Sequence, residues 1–135
     1  MSAPGQLIPL RSSEDARGKL VSVEALRDVP FAIERVYYIV AHEGAARGFH
    51  AHKTLEQLMI CVSGSCRIIL DDGSRRVHHA LDRPDQGLIV GPMIWREMHE
   101  FSKDCVLLVL ASAPYDEEDY IRDYETFATE VGKAA

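Results

Sequence analysis

The 135-residue sequence predicts an all-β fold, a jelly-roll barrel or sandwich with a short C-terminal helix. Two observations lead to this prediction. Short apolar or alternating segments follow one another along the chain, each ended by turn residues. Only one stretch, close to the C-terminus, has helical periodicity. Because no linker or repeat divides the chain, we expect one domain over residues 1–135, with residues 1–6 flexible.

The predicted strands are bounded by turn signals. The segment that ends in Asp72-Gly73 carries a strong hairpin signal, and the segment that follows it is the expected partner strand. Along the chain, strands are expected at residues 19–26, 34–40, 47–53, 55–62, 66–73, 75–81, 87–92, 94–101 and 105–112. The acidic segment that begins "YDEED" at Tyr115 is interpreted as the N-terminus of the helix, which covers about residues 117–131.

Composition narrows the class of function. With 47% hydrophobic and 27% charged residues the chain resembles soluble globular proteins. Its net charge of −6 argues against nucleic acid as a partner. The longest apolar run, residues 105–111, is too short to cross a membrane, and the first residues do not resemble a signal peptide. Three cysteines without metal-type spacing are expected to be reduced, which predicts a cytoplasmic protein.

Two histidines, His50 and His52, mark the candidate site in "RGFHAHK". Residues i and i+2 of a strand point to the same face, so the two imidazoles are expected to converge. Arg35 and Tyr37 share one face of the preceding strand by the same rule. This spacing alone leaves three interpretations open: a metal site, a proton-transfer site or two core histidines.

Gly44, His50, His52, Glu56 and Gly64 stand at spacings that resemble the first sequence motif of the cupin superfamily. In that motif two histidines and a glutamate bind a metal, which makes a metal-dependent enzyme with His50, His52 and Glu56 one alternative. The second cupin motif supplies a third histidine, but this sequence has Glu97 at the corresponding position. The departure weakens the metal interpretation.

A closer resemblance extends from about Leu7 to Phe127 and rests on "RGKLVSVE", "RGFHAHK", "LEQLMICVSGSCRIILDDG", "GLIVGPMIWREMHEFS" and "YIRDY" in this order. These segments together resemble the cupin-fold dTDP-sugar 3,4-ketoisomerases. The resemblance implies conversion of dTDP-4-keto-6-deoxyglucose to a dTDP-3-keto-6-deoxyhexose in deoxyamino-sugar biosynthesis. It also implies that no metal or other cofactor is needed, and that the protein is a homodimer with exchanged strands. The alternating segment "QLIPL", residues 6–10, is suited to such an exchange.

The reaction such an enzyme performs assigns roles to the residues. Moving a ketone between neighbouring carbons through an enediol requires a base and a hydrogen-bond donor for the oxygen that gains charge. We predict His50 as the principal base, assisted by His52 and Tyr37. The rate is expected to drop below a pH near 6 to 7, as a histidine base becomes protonated.

The remaining candidates are expected to bind the substrate. Arg35, Arg47 and Arg122 stand at positions that match the family, and paired guanidinium groups suit a diphosphate. Tyr115 is predicted to stack on the thymine, and Trp95 and Arg96 to contact the sugar. A non-catalytic sugar-nucleotide binding protein that keeps this pocket is the other alternative.

Overall fold

The computed structural model describes residues 4–134, and they form two five-stranded antiparallel sheets packed face to face. The first sheet has the spatial order β1 (Gln6–Pro9), β9 (Gln86–Val90), β6 (Gln57–Ser63), β11 (Val106–Ala111) and β4 (Arg35–Ile39). The second has the order β12 (Tyr120–Ile121), β5 (Arg47–His52), β10 (Trp95–His99), β7 (Cys66–Asp71) and β8 (Arg76–Leu81). From β4 to β11 the chain repeatedly crosses between the sheets, which is the jelly-roll arrangement. The all-β prediction is confirmed.

The core lies between the sheets. Strand β7 has the sequence "CRIILD" and β11 has "VLLVLA", and their inward residues Ile68, Leu70, Leu107 and Val109 are fully buried. Met98 of β10 packs into the same cluster. Inward residues of a sandwich alternate with outward ones, so each strand contributes every second side chain to this core.

A short hairpin projects from the sandwich. Its strands are β2 (Arg11–Asp15) and β3 (Gly18–Ser22), joined by a turn in which Gly18 has a φ of +136°. Every residue of β2 is exposed. The strand predicted at 19–26 is shorter than expected. Strand β1 lies within the segment 6–10 that was expected to be exchanged, while β2 was not among the predicted strands. Of the N-terminal stretch 1–6 expected to be flexible, residues 1–3 lie outside the described residues, and Gln6 pairs with Ile89 in β1.

The predicted C-terminal helix is only partly correct. Residues Glu117–Asp119 form a single 3-10 turn, β12 follows, and the α-helix α1 covers Tyr124–Ala134. The acidic segment therefore precedes a strand and not the helix. Strand β12 forms because Tyr120 and Ile121 pair with His52 and Ala51 along the free edge of β5, a contact that helical periodicity does not reveal.

Helix α1 covers the outer face of the second sheet. Phe127 is fully buried there against Trp95, Ala51 and Ile121. An aliphatic or aromatic side chain buried to this extent contributes about 1.5–3 kcal/mol to folding. Within residues 4–134, no helix is both long and apolar enough to cross a membrane.

Candidate active site

An open cavity of about 470 Å³ lies between strand β4, strand β5 and the segment 115–122. Six of the nine predicted site residues line it: Arg35, Tyr37, Arg47, His50, Tyr115 and Arg122. The structure thus brings together residues that are as much as 87 positions apart between Arg35 and Arg122. A cavity of this size is typical of small-molecule sites.

A bulge in β5 positions His50. His50 is paired with Arg96 and Gly48 with Glu97, so Phe49 is the extra residue of β5. Gly48 has a φ of +90°, and a Cβ there would lie 3.1 Å from the Arg96 carbonyl oxygen, so this position requires glycine. The Gly48 carbonyl also lies 2.9 Å from Nδ1 of His50. Nδ1 can only donate to a carbonyl, and the proton on Nδ1 leaves Nε2 of His50 as an unprotonated base.

The two histidines and Tyr120 form an aromatic cluster. The rings of His50 and His52 meet edge to face with centroids 4.9 Å apart, and the Tyr120 ring lies 4.9 Å and 4.4 Å from them. His50 is half-buried and lines the large cavity, whereas His52 is 1% exposed and lines a smaller adjoining cavity. Among the described residues, Nε2 of His52 has no hydrogen-bond partner.

Asp119 orients His52, and sequence analysis missed this residue. Its Oδ2 lies 3.2 Å from Nδ1 of His52, while its Oδ1 accepts hydrogen bonds from the amide and hydroxyl of Thr54 at 2.9 and 2.8 Å. The carboxylate is therefore fixed, and it holds the Nδ1 proton of His52. The only signal in the sequence was an acidic residue beside an aromatic one, which does not distinguish a pairing residue from a helix N-terminus.

A buried cation lies behind the cavity. Arg96 is fully buried and donates to the Gln57 side chain and, at 3.0 Å, to the Ile94 carbonyl. Gln57 in turn donates to the Tyr37 hydroxyl at 2.8 Å. Among the described residues, no carboxylate pairs with Arg96, although a buried charge ordinarily requires one. The Tyr37 oxygen accepts the amide hydrogen, so its own hydroxyl proton is free to be donated elsewhere.

Burial and the nearby cation hold both imidazoles in the neutral state. Burial, and secondarily Arg96, lowers the pKa of His50 to about 4 and that of His52 to about 3. Burial also raises the pKa of Tyr37, which keeps its hydroxyl protonated. The two imidazoles and the Tyr37 hydroxyl are therefore all neutral at neutral pH.

The cations of the cavity differ in how they are paired. Among the described residues, neither Arg35 nor Arg47 forms an ion pair, and Arg35 lies over the Tyr37 and Tyr115 rings at 5.1 and 5.8 Å. Arg122 is already paired, because Glu117 accepts hydrogen bonds from it at 2.7 and 2.8 Å. The Tyr115 hydroxyl bonds to the same carboxylate. Two free guanidinium groups are thus available to an anion.

Trp95 is not brought to the cavity. Successive residues of a strand face opposite sides, and since Arg96 points inward, Trp95 points outward. It is buried under helix α1, with its ring 5.2 Å from Tyr124 and 5.9 Å from Phe127. Arg96 is itself absent from the cavity lining, because Gln57 and Tyr37 lie between. The sugar contacts expected of these two residues have no direct support in this geometry.

The ligands of the metal-dependent alternative are not assembled. Within the described chain, His50, His52 and Glu56 do not form a group with donor atoms at metal-ligand distances. Glu56 precedes β6, and it is the next residue, Gln57, whose side chain enters the interior. Glu97, at the position of the third cupin histidine, accepts from the outward-facing Trp95.

The sequence of the chain matches a known family. The sequence model of a protein family described as "FdtA: WxcM-like, C-terminal" matches residues 4–132. The chain belongs to this family. A member from Aneurinibacillus thermoaerophilus, TDP-4-oxo-6-deoxy-alpha-D-glucose-3,4-oxoisomerase, is 52% identical over 129 residues, which are 95% of this chain and 93% of the relative.

Solved structures of FdtA-like enzymes have the same fold. A 3,4-ketoisomerase QdtA variant from Thermoanaerobacterium thermosaccharolyticum, in complex with TDP-4-keto-6-deoxyglucose, is 42% identical with a TM-score of 0.94, covering 98% of this chain and 97% of that one. The WlaRB TDP-quinovose 3,4-ketoisomerase from Campylobacter jejuni is 48% identical with a TM-score of 0.89, covering 93% and 97%. The predicted family, the 3,4-ketoisomerases, is confirmed.

Proposed function

We propose that this protein isomerises TDP-4-keto-6-deoxyglucose to a TDP-3-keto-6-deoxyhexose by proton transfer from carbon 3 to carbon 4. The observation that carries the proposal is that His50, whose ring contacts that of His52, lines the same cavity as Tyr37 and the two unpaired arginines. The ketoisomerase relatives act on substrates of this class. The reaction is an internal rearrangement, so it consumes no oxidant or reductant.

In this proposal His50 is the base. Nδ1 of His50 is occupied by the Gly48 carbonyl, so Nε2 takes the proton from carbon 3 and an enediolate forms. The ring of His52 packs against the ring of His50 on the side away from the large cavity, and its Nε2 is also unprotonated. His50 returns its proton to carbon 4, while His52 carries the hydroxyl proton of carbon 3 to the oxygen of carbon 4, so that the ketone ends at carbon 3.

Tyr37 and Arg96 stabilise the oxygen that gains charge. The Tyr37 hydroxyl donates to the enediolate, since Gln57 already supplies the hydrogen bond that its oxygen accepts. Arg96, a buried cation without a carboxylate partner in the described chain, acts through Gln57 as a fixed positive charge. Preorganised groups of this kind are worth about 2.7–4 kcal/mol when they contact the oxyanion directly.

The diphosphate of the substrate meets Arg35 and Arg47, the two unpaired guanidinium groups of the cavity. Tyr115 is 59% exposed at the cavity wall, which suits stacking on the thymine. Arg122 contributes only if the diphosphate competes with Glu117 for it. Its role in binding is therefore smaller than that of Arg35.

Replacement of the base tests this proposal. His50→Asn keeps a hydrogen-bonding side chain but removes the titrating nitrogen, so turnover should fall about 10²–10⁴-fold, the usual share of a general base. NMR of TDP-4-keto-6-deoxyglucose incubated with the protein measures both turnover and, in deuterated buffer, deuterium at carbon 4. TDP affinity should remain, because the diphosphate contacts lie elsewhere. His78→Asn, an exposed histidine on β8, is the matched control.

The outcome also separates the alternatives. Full activity of His50→Asn would end the assignment of the base. A wild-type protein that binds TDP but never converts the keto-sugar would be a sugar-nucleotide binding protein. Loss of turnover on chelation, restored by one divalent ion, would favour the metal-dependent enzyme.

We also propose that the protein is a cytoplasmic homodimer. Val36 and Tyr38 of β4, with Val40 just after it, form an exposed apolar row with exposed fractions of 58, 67 and 67%, and such a row favours a covering partner. Strand β1 binds β9 along an edge, and an exchange would make the same pairing between two chains. Sedimentation of the full-length protein as a monomer at micromolar concentration would contradict the dimer. The three free, buried cysteines support a reducing compartment.

A further inference from the structure

A cluster of three thiols lies in the core, away from the active site. Cys61 is in β6, Cys66 begins β7 and Cys105 immediately precedes β11, and they are 1, 4 and 1% exposed. The three Sγ atoms all lie within 4.8 Å of one another, and those of Cys61 and Cys105 are 3.7 Å apart. Cys61 is four residues beyond Gln57, which is about 13 Å along a strand. The proposed reaction uses none of these thiols.

The chain segments that carry the thiols are held together by a clamp, formed by the turn 63–65 and the loop 102–105. Ser65 and Ser102 exchange two hydrogen bonds of 2.9 Å, one from the Ser65 amide to the Ser102 hydroxyl and one from the Ser102 amide to the Ser65 carbonyl. The Ser63 hydroxyl donates to the Asp104 carbonyl at 2.8 Å.

Gly64, at the centre of the turn, fits this clamp closely. It has a φ of +70°, and a Cβ there would lie 2.3 Å from the Ser102 hydroxyl and 2.8 Å from the Cα of Cys105. The turn therefore approaches the loop as closely as a glycine allows. Cys61 and Cys66 flank the turn and Cys105 ends the loop, so the spacing of the three sulfurs is set by the backbone before any ligand arrives.

We propose that Cys61, Cys66 and Cys105 form a site for one soft monovalent d10 cation, copper(I), bound by three sulfurs. Sulfur ligands alone select soft ions over magnesium, calcium or manganese, which prefer oxygen. With metal–sulfur bonds of about 2.3 Å, a trigonal set places its sulfurs about 4 Å apart, close to the spacing of this cluster. Zinc is the weaker candidate, because structural zinc sites take four ligands and the described group contains three.

The binding step balances without a redox partner. Three copper–sulfur bonds form, each thiol that ionises releases its proton to solvent, and copper stays monovalent. Copper affinity should increase with pH, because the ion displaces thiol protons.

The cysteine cluster lies close to the protein surface. Cys61, Cys66 and Cys105 lie directly beneath the clamp, whose residues Gly64, Ser65 and Ser102 are half-buried and whose Ser63 and Asp104 are exposed. A local opening of this turn exposes the sulfurs without disturbing the cavity that holds His50. Occupancy would join β6, β7 and β11 through one ion, which predicts a higher melting temperature for the copper-loaded protein.

Anaerobic titration of the full-length, reduced protein with copper(I), in competition with the chelator bicinchoninate, tests the site. The wild type should withdraw one copper ion per chain. Cys66→Ala and Cys105→Ala should each lower the copper affinity by more than about 100-fold. That is the upper cost of removing a residue that only hydrogen-bonds to a metal ligand, and these variants remove a ligand itself. His50→Asn removes the imidazole that lines the active-site cavity, and this variant should bind copper as the wild type does.

X-ray absorption of the copper-loaded wild type keeps the proposal testable if a cysteine variant fails to fold. Three sulfurs at about 2.3 Å, with no nitrogen or oxygen ligand, are the expected first shell. The proposal is overturned if the wild type takes no copper from the chelator, or if Cys66→Ala binds it equally well. Nitrogen ligands in the absorption spectrum would likewise overturn it and assign the copper to histidines.

Discussion

Replacement of Asp119 by asparagine changes the tautomer of His52 while leaving the volume of the site unchanged. Oδ1 of Asp119 accepts two hydrogen bonds from Thr54, and Oδ2 faces Nδ1 of His52 at 3.2 Å. Asparagine has one oxygen, and the two Thr54 donors, at 2.9 and 2.8 Å, hold it on their side against the Leu55 amide, which donates to Oδ2 at only 3.3 Å. Its amide nitrogen then faces His52 as a donor. Nδ1 of His52 must become an acceptor, which moves the imidazole proton to Nε2.

The magnitude follows from what the switch removes. The unprotonated Nε2 of His52 is lost, and with it the proton acceptor behind His50, so kcat should fall about 10²-fold, the lower end of the range for a general base. The fold should survive. Losing the charge from one hydrogen-bonded carboxylate costs about 1.5–3 kcal/mol in the free energy of unfolding. TDP affinity should not change, because Asp119 does not line the large cavity.

The assay combines turnover of the keto-sugar with nitrogen-15 NMR of the imidazoles, which reports the tautomer directly. Asp123→Asn is the matched control: Asp123 accepts hydrogen bonds from Thr126 at the start of α1, a role that asparagine fills equally well. An unchanged kcat in a variant whose His52 tautomer has switched would refute the proton-carrying role of His52. An unswitched tautomer with reduced kcat would refute the argument from the carboxylate.

Four further predictions concern charge. Burial lowers the pKa of His50 from 6.5 to about 4, so between these pH values the unfolded chain binds more protons than the folded one. The free energy of unfolding should therefore fall as the pH drops through this window, by at most about 3 kcal/mol for this group. The pH profile of kcat/KM should likewise stay flat down to about pH 5, and a fall already near pH 6.5 would contradict the lowered pKa. In the cavity, Glu117→Gln frees Arg122 and should tighten TDP binding in calorimetry, whereas Arg35→Ala should weaken it by about 1.5–3 kcal/mol. Equal TDP affinities in both variants and the wild type would remove the diphosphate assignment.

Most of the strands could be predicted because they depend on local periodicity in the sequence. The strands from β4 to β11 were expected within a few residues of their observed ends, since buried strands need runs such as "CRIIL" and turns need residues such as Asp72-Gly73. Strand β12 was missed because two residues carry no periodicity. Its formation depends on the edge of β5, where Tyr120 pairs with His52, a residue 68 positions earlier in the sequence.

The residues of the candidate site likewise differ in whether local periodicity or tertiary packing places them. Sequence analysis identified His50, His52 and Tyr37, because the period of two puts each on a defined face of its strand. Trp95 and Arg96 were expected to contact the sugar because both were placed at the sheet edge of the pocket. Alternation states that Trp95 and Arg96 face opposite ways, but only the packing of α1 against Trp95 decides which of them enters the barrel.

The sequence by itself determined the all-β class, the family and the chemical groups available for proton transfer, because each depends on residue type and local spacing. Only the tertiary structure decided how those groups are paired: Asp119 with His52, Glu117 with Arg122, Gln57 between Arg96 and Tyr37, and three cysteines beneath one turn. The physical reason is that ionisation and ligand binding depend on distances of a few ångströms between side chains. In a jelly roll those distances are set by strands that are neighbours in space and distant in sequence.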